Sequence, residues 1–112
     1  MAEIAFIAPY KGLAELAERV AGGQIDIRTG RIKVGVRLAK DAVAKGAKVV
    51  ISRGITAWLI GGSGLGVPVI DVPITGYDLL RGYFQARKIG HPVGILDVPE
   101  VLSGVSTLED IL

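Results

Sequence analysis

Two short stretches carry side chains suited to holding an anion. Ser52-Arg53-Gly54-Ile55-Thr56 offers a guanidinium, two hydroxyls and a glycine within five residues, and Pro9-Tyr10-Lys11-Gly12 offers a phenol and an ammonium. Arginine presents a planar fork of donors that matches a carboxylate or phosphate, and the N–H groups at a helix start favour negative charge. A third stretch, Thr75-Gly76-Tyr77-Asp78, adds a hydroxyl, a second phenol and a glycine that permits close backbone approach. The Asp78 carboxylate reads instead as a first-turn acid favoured by the helix dipole. Recognition of a small carboxylate or phosphate is the expected chemistry, not its conversion. The sole histidine, His91, is distant in sequence from Ser52 and Thr56, and no carboxylate pair is placed for acid–base work. The chain is therefore expected not to be an enzyme, and no catalytic residue is assigned.

These groups need a scaffold that brings them to one edge. Val49-Val50-Ile51 is a β-branched run of the kind buried on both faces of a parallel sheet, and it predicts a strand over Ala47–Ser52. Gly54 then allows a turn, and Thr56 reads as the N-cap of a helix carrying Ala57-Trp58-Leu59-Ile60. Ahead of it, Glu3–Ala8 reads as a first strand, and Leu13, Leu16, Ala17 and Val20 share one face of a helix ended by Gly22-Gly23. Gln24–Arg28 suits an edge strand, and a helix over Val34–Lys45 shows Leu38, Ala39, Ala42 and Val43 on one side. Val67–Val72 predicts a fourth strand, followed by a helix with Leu79, Leu80, Tyr83 and Phe84 together. Val93–Val98 predicts a fifth, and Ser106-Thr107-Leu108-Glu109-Asp110 the capped start of a last helix.

Strand starts near Ile4, Ile25, Ala47, Val67 and Val93 recur every ~20–25 residues, the size of a strand–helix unit with short loops. Five such units predict an α/β fold: a flavodoxin-like, doubly wound, five-stranded parallel sheet in three α/β/α layers, of order 2-1-3-4-5. That order opens a crevice between the first and third strands, with the Tyr10 and Arg53 loops facing each other and the Thr75 loop on the same rim.

Composition narrows the function classes. Of 112 residues, 50% are hydrophobic, and thirteen basic residues against eleven acidic give a net charge of +2 spread along the chain. No basic block calls for nucleic acid. Without cysteine, and with one histidine, neither a thiolate nor a histidine-pair metal site can form, so no metal and no cofactor are expected. No apolar stretch approaches the ~20 residues that span a bilayer, and the start of the chain is unlike a signal peptide, so a cytoplasmic location is expected. Gly61–Gly66 resembles a phosphate loop only in composition. It follows a helix, precedes a strand, and fits neither G-x-G-x-x-G nor the Walker pattern. Arg28, Arg31, Lys33 and Arg37 read as a solvated basic face, with Arg28 closest to the ligand rim. Asp71 and Asp97 form no acidic cluster with a first-strand aspartate, which disfavours a receiver domain.

The blocks Ile4–Tyr10, Gly35–Lys40, Val49–Ala57 and Val67–Asp78, with the closing Leu108-Glu109-Asp110, resemble the N-terminal sensory domain of the propionate catabolism activator family. The serine-arginine-glycine and glycine-tyrosine-aspartate blocks are the most specific parts. The chain departs from the pattern at Ile55, where a second glycine is usual, and at Gly61–Gly66, where the family has a more polar, charged helix end. The resemblance implies the effector-receiving input of a sigma-54-dependent transcription activator that responds to a carboxylate such as 2-methylcitrate. It assigns Tyr10, Lys11, Ser52, Arg53, Gly54, Thr56, Thr75, Gly76 and Tyr77 to effector contact. Its partners would be ATPase and DNA-binding domains, with a homodimer possible and no direct nucleic-acid binding, since neither a Walker motif nor a helix-turn-helix is present. Residues 1–112 are then a single sensory lobe, with about 99–112 a connecting segment toward a second lobe. The alternative is a small flavodoxin-like enzyme or a cofactor- or phosphate-binding protein.

Overall fold

The computed structural model describes residues 2–96. The expected last helix at Ser106–Asp110 and the connecting segment of about 99–112 lie outside the described residues. The chain divides into two compact units, Met1–Val72 and Pro73–Leu112.

The first unit alternates strand and helix: β1 (Ile4–Ala8), α1 (Lys11–Ala21), β2 (Asp26–Thr29), α2 (Lys33–Ala44), β3 (Val49–Arg53), α3 (Gly54–Gly61) and β4 (Val69–Val72). The strands form a parallel sheet of order β2-β1-β3-β4. This agrees with the first four places of the expected order and puts β2 at an edge. The expected fifth strand, Val93–Val98, is not shown: 93–96 form no strand, and 97–98 lie outside the described residues. Gly94 interrupts the apolar run and Pro92 brings no ladder donor, so the segment is poorly suited to pairing.

Side chains of β1 alternate between two cores, as the period of a strand requires. Ala5 and Ile7 pack with Ala39 and Ala42 of α2, Val50 of β3 and Ile60 of α3. Phe6 and Ala8 pack on the opposite face with Leu13 and Ala17 of α1. Helices thus cover both faces, and each fully buried Ile or Val contributes roughly 1.5–3 kcal/mol. The predicted α1 stripe was too wide. Leu13 and Ala17 are buried, whereas Leu16 is 47% and Val20 78% exposed.

The side of α2 toward the sheet is made of small residues, Gly35, Ala39 and Ala42, all buried. A Cβ on Gly35 would stand 2.5 Å from Cγ2 of Thr56 and 3.0 Å from the Gly30 carbonyl oxygen. The absence of a side chain is what lets α2 lie against α3 and the end of β2. The outer flank is tied differently. Arg28 of β2 donates to Asp26 at 3.0 Å, to Asp41 of α2 at 2.6 Å and to the Leu38 carbonyl at 3.3 Å. Lys45 lies 3.1 Å from the same Asp41 carboxylate. Arg28 is thus a clamp between β2 and α2.

In the second unit α4 (Gly76–Arg87) is capped by Thr75. Its hydroxyl accepts from the Asp78 N–H at 3.3 Å, while the Asp78 carboxylate accepts from the Thr75 N–H at 2.8 Å. A groove of about 290 Å³ runs between α4 and residues 93–96, lined by Leu79, Tyr83, Ala86 and Val93 among others.

Two measurements test this packing. Gly35→Ala should cost about 1–3 kcal/mol, the usual penalty of overpacking, read as a lower urea midpoint by circular dichroism. An unchanged midpoint would mean that α2 can retreat from α3. The Asp41 carboxyl is held below the usual carboxylate range, first by its hydrogen bond from Arg28 and then by that from Lys45. A depressed folded-state value contributes stability above the unfolded value of about 3.9, lost as pH falls through the folded value. The urea midpoint should therefore drop below about pH 4, and Asp41→Asn should remove part of that drop while lowering the midpoint at neutral pH.

Candidate functional site

The sheet divides at its carboxyl edge. β1 and β3 pair from Ile4 with Val49 to Phe6 with Ile51, and there the ladder ends. β1 continues beside β2 as far as Ala8 with Thr29, and β3 continues beside β4 as far as Arg53 with Val72. Past Phe6 and Ile51 each strand follows its outer neighbour, which marks the switch point where open α/β sheets receive ligands. Ser52 bridges the division: its hydroxyl, fully buried, donates to the Ile7 carbonyl at 2.7 Å. The Ser52 side chain, expected at the effector, is thus engaged inside the sheet.

Above the division stand Tyr10 and Arg53. The Arg53 guanidinium donates through Nη1 to the Tyr10 hydroxyl at 3.3 Å, so the end of β3 meets the turn after β1. Lys11 is the first residue of α1, not a loop residue before it, and its ammonium is 88% exposed, 3.8 Å from Glu15. Gly54 has φ +66° and turns the chain from β3 into α3 with no intervening residue, a conformation that glycine adopts without strain. Because of that immediate turn, Thr56 lies inside α3 and does not cap it; the N-cap is Arg53. The Thr56 hydroxyl, almost fully buried, accepts from the Ile32 N–H at 3.0 Å.

Three helices begin at this edge, and all three break a local electrostatic preference. The first turns of α1, α2 and α3 contain no acidic residue. Lys11 opens α1, Lys33 opens α2 with Arg31 two residues earlier, and Arg53 precedes α3. A cation at a helix N-terminus works against the dipole by roughly 0.3–1 kcal/mol; a bound anion offsets that cost. From sequence alone Arg31 and Lys33 read as a solvated face. The signal that could have drawn them in was a lysine at the start of a helix with no acid following.

Thr75, Gly76 and Tyr77 fall in the second unit. The Thr75 hydroxyl is engaged in the cap of α4, and Tyr77 is 80% exposed. A Cβ on Gly76 would meet nothing within 4 Å. Asp78 completes the cap, the structural role read for it. Gly61–Gly66 closes α3 and leads toward β4, with Gly64 and Gly66 at positive φ, so it lies away from this edge. Among the described residues there is no group of three or more His, Asp or Glu able to hold a metal ion, and no helix is long and apolar enough to cross a membrane.

The family model described as propionate catabolism activator matches residues 21–112. The match takes in α2, β3, α3 and α4, with Arg53 and Gly54, and begins after Tyr10 and Lys11. Neither a curated protein nor a solved structure matches the chain.

Proposed function

The chain belongs to the propionate catabolism activator family, and from that premise we propose that its first unit receives a small carboxylate effector where β1 and β3 part. Arg53 is the principal contact, through its guanidinium. Tyr10 orients it, Lys11 adds charge at the start of α1, and the backbone N–H groups after Gly54 complete the receptor. The effector class is a di- or tricarboxylate of the 2-methylcitrate type, and the regulator served is a sigma-54-dependent activator with ATPase and DNA-binding domains. One observation carries this reading: the starts of α1, α2 and α3 lack any acid and hold cations instead. By contrast, the start of α4 is closed by Asp78. Ser52 and Thr56 serve this site by holding its frame.

Isothermal titration with 2-methylcitrate and with citrate tests the proposal. Saturable binding is expected, weakening as salt rises. Arg53→Ala should reduce affinity at least about tenfold, since hydrogen bonds to charged groups are worth roughly 1.5–3 kcal/mol. Binding unaffected by Arg53→Ala would place the effector elsewhere, and no heat from either acid at millimolar concentration, with the protein folded, would reject this ligand class.

A further inference from the structure

Ile32, the residue before α2, stands at φ 57° and ψ −126°. It is the only non-glycine at positive φ among the described residues. For a β-branched side chain this is a true outlier, and such strain persists only where surrounding structure imposes it. Packing of its own side chain does not impose it, because Ile32 is 44% exposed. Hydrogen bonds do. The Ile32 N–H donates to the Thr56 hydroxyl at 3.0 Å, and its carbonyl accepts from Val36 at 3.1 Å as the first bond of α2. At the other end of the turn, Gly30 N–H donates to the Ala8 carbonyl at 3.0 Å. The turn is pinned to β1 on one side and to α3 on the other. Of these bonds, only that to Thr56 comes from a side chain, and that side chain is buried and fixed by its methyl group beside Gly35.

We infer that the Thr56 hydroxyl latches a two-state turn. With the latch closed, Ile32 is held strained; with it open, Ile32 relaxes to negative φ and the peptide between Arg31 and Ile32 rotates. Arg31 and Lys33 flank Ile32, so opening redirects two cations at the start of α2. Thr56 is three residues from Arg53, so the latch ties the β2–α2 turn to the helix that Arg53 precedes. Thr56 is on this reading a positioning residue. The latch stands whether or not the rim takes a carboxylate, and its test uses no ligand.

The test compares Thr56→Val, which keeps the shape and removes the acceptor, with Thr56→Ser, Ile32→Gly and the Ile32→Gly/Thr56→Val pair. Amide hydrogen exchange by NMR should show the Ile32 N–H losing about tenfold or more of its protection in Thr56→Val and keeping it in Thr56→Ser. Ile32→Gly should raise the urea midpoint, because glycine occupies this conformation without strain. The decisive quantity is the coupling. A turn that springs open recovers its strain, so Thr56→Val should lower the midpoint less in the wild-type background than in the Ile32→Gly background. Additive effects would make the bond a static one and overturn the latch, as would unchanged protection of the Ile32 amide. If Thr56→Val does not fold, Ile32→Gly decides alone: a midpoint that fails to rise removes the strain on which the latch depends.

Discussion

The hydrogen bond from the buried Ser52 hydroxyl to the Ile7 carbonyl is the point on which this edge of the sheet turns. Below it β1 and β3 are ordinary ladder partners. Above it each strand stays paired with its outer neighbour, and the β1–β3 ladder is not continued between the two. A hydroxyl can supply one donor there without side-chain bulk, which a larger polar residue in the same buried place could not do. The ends of β1 and β3 part beyond that bond, yet stay close enough for Arg53 to reach Tyr10.

Around this division the unit is built with two different materials. The inner side of α2 uses small residues, so that backbone approaches backbone and little tolerance remains for added volume. The outer side uses charge, with Arg28 gripping a carboxylate on the strand and another on the helix. The hydrogen bond to Asp26, followed by that to Asp41, raises the Arg28 pKa against an opposing desolvation. At the helix starts the composition differs: the first turns of α1, α2 and α3 contain no acidic residue, while Lys11, Lys33 and Arg53 stand at or just before them. A chain that clusters opposite charges in one place and opens three helices on cations in another departs from local consistency where function is expected to reside.

Strand order was legible because it follows from spacing and handedness. Apolar runs at regular intervals, short connections and right-handed crossovers leave few alternatives, and β2, β1, β3 and β4 fell into them. Gly54 was legible for a similar reason, since a sharp strand-to-helix turn needs positive φ. The duties of the hydroxyls were not. Ser52 and Thr56 have the composition of a ligand rim, but whether a hydroxyl faces solvent or a carbonyl depends on one residue of register, here set by where the β1–β3 ladder stops and where α3 starts. Leu16 and Val20 misled through periodicity, which identifies a helix face but not how much of it a neighbour covers. Ile32 was invisible, because nothing in its side chain announces a backbone conformation that the chain around it imposes.

Trp58, the only tryptophan of the chain, stands in α3 two residues after Thr56, with 53% of its surface exposed. An indole balanced between protein and water shifts its emission when either side changes. The helix beside the division of the sheet therefore carries its own optical reporter, and its environment can be followed in the unlabelled protein at micromolar concentration and in real time.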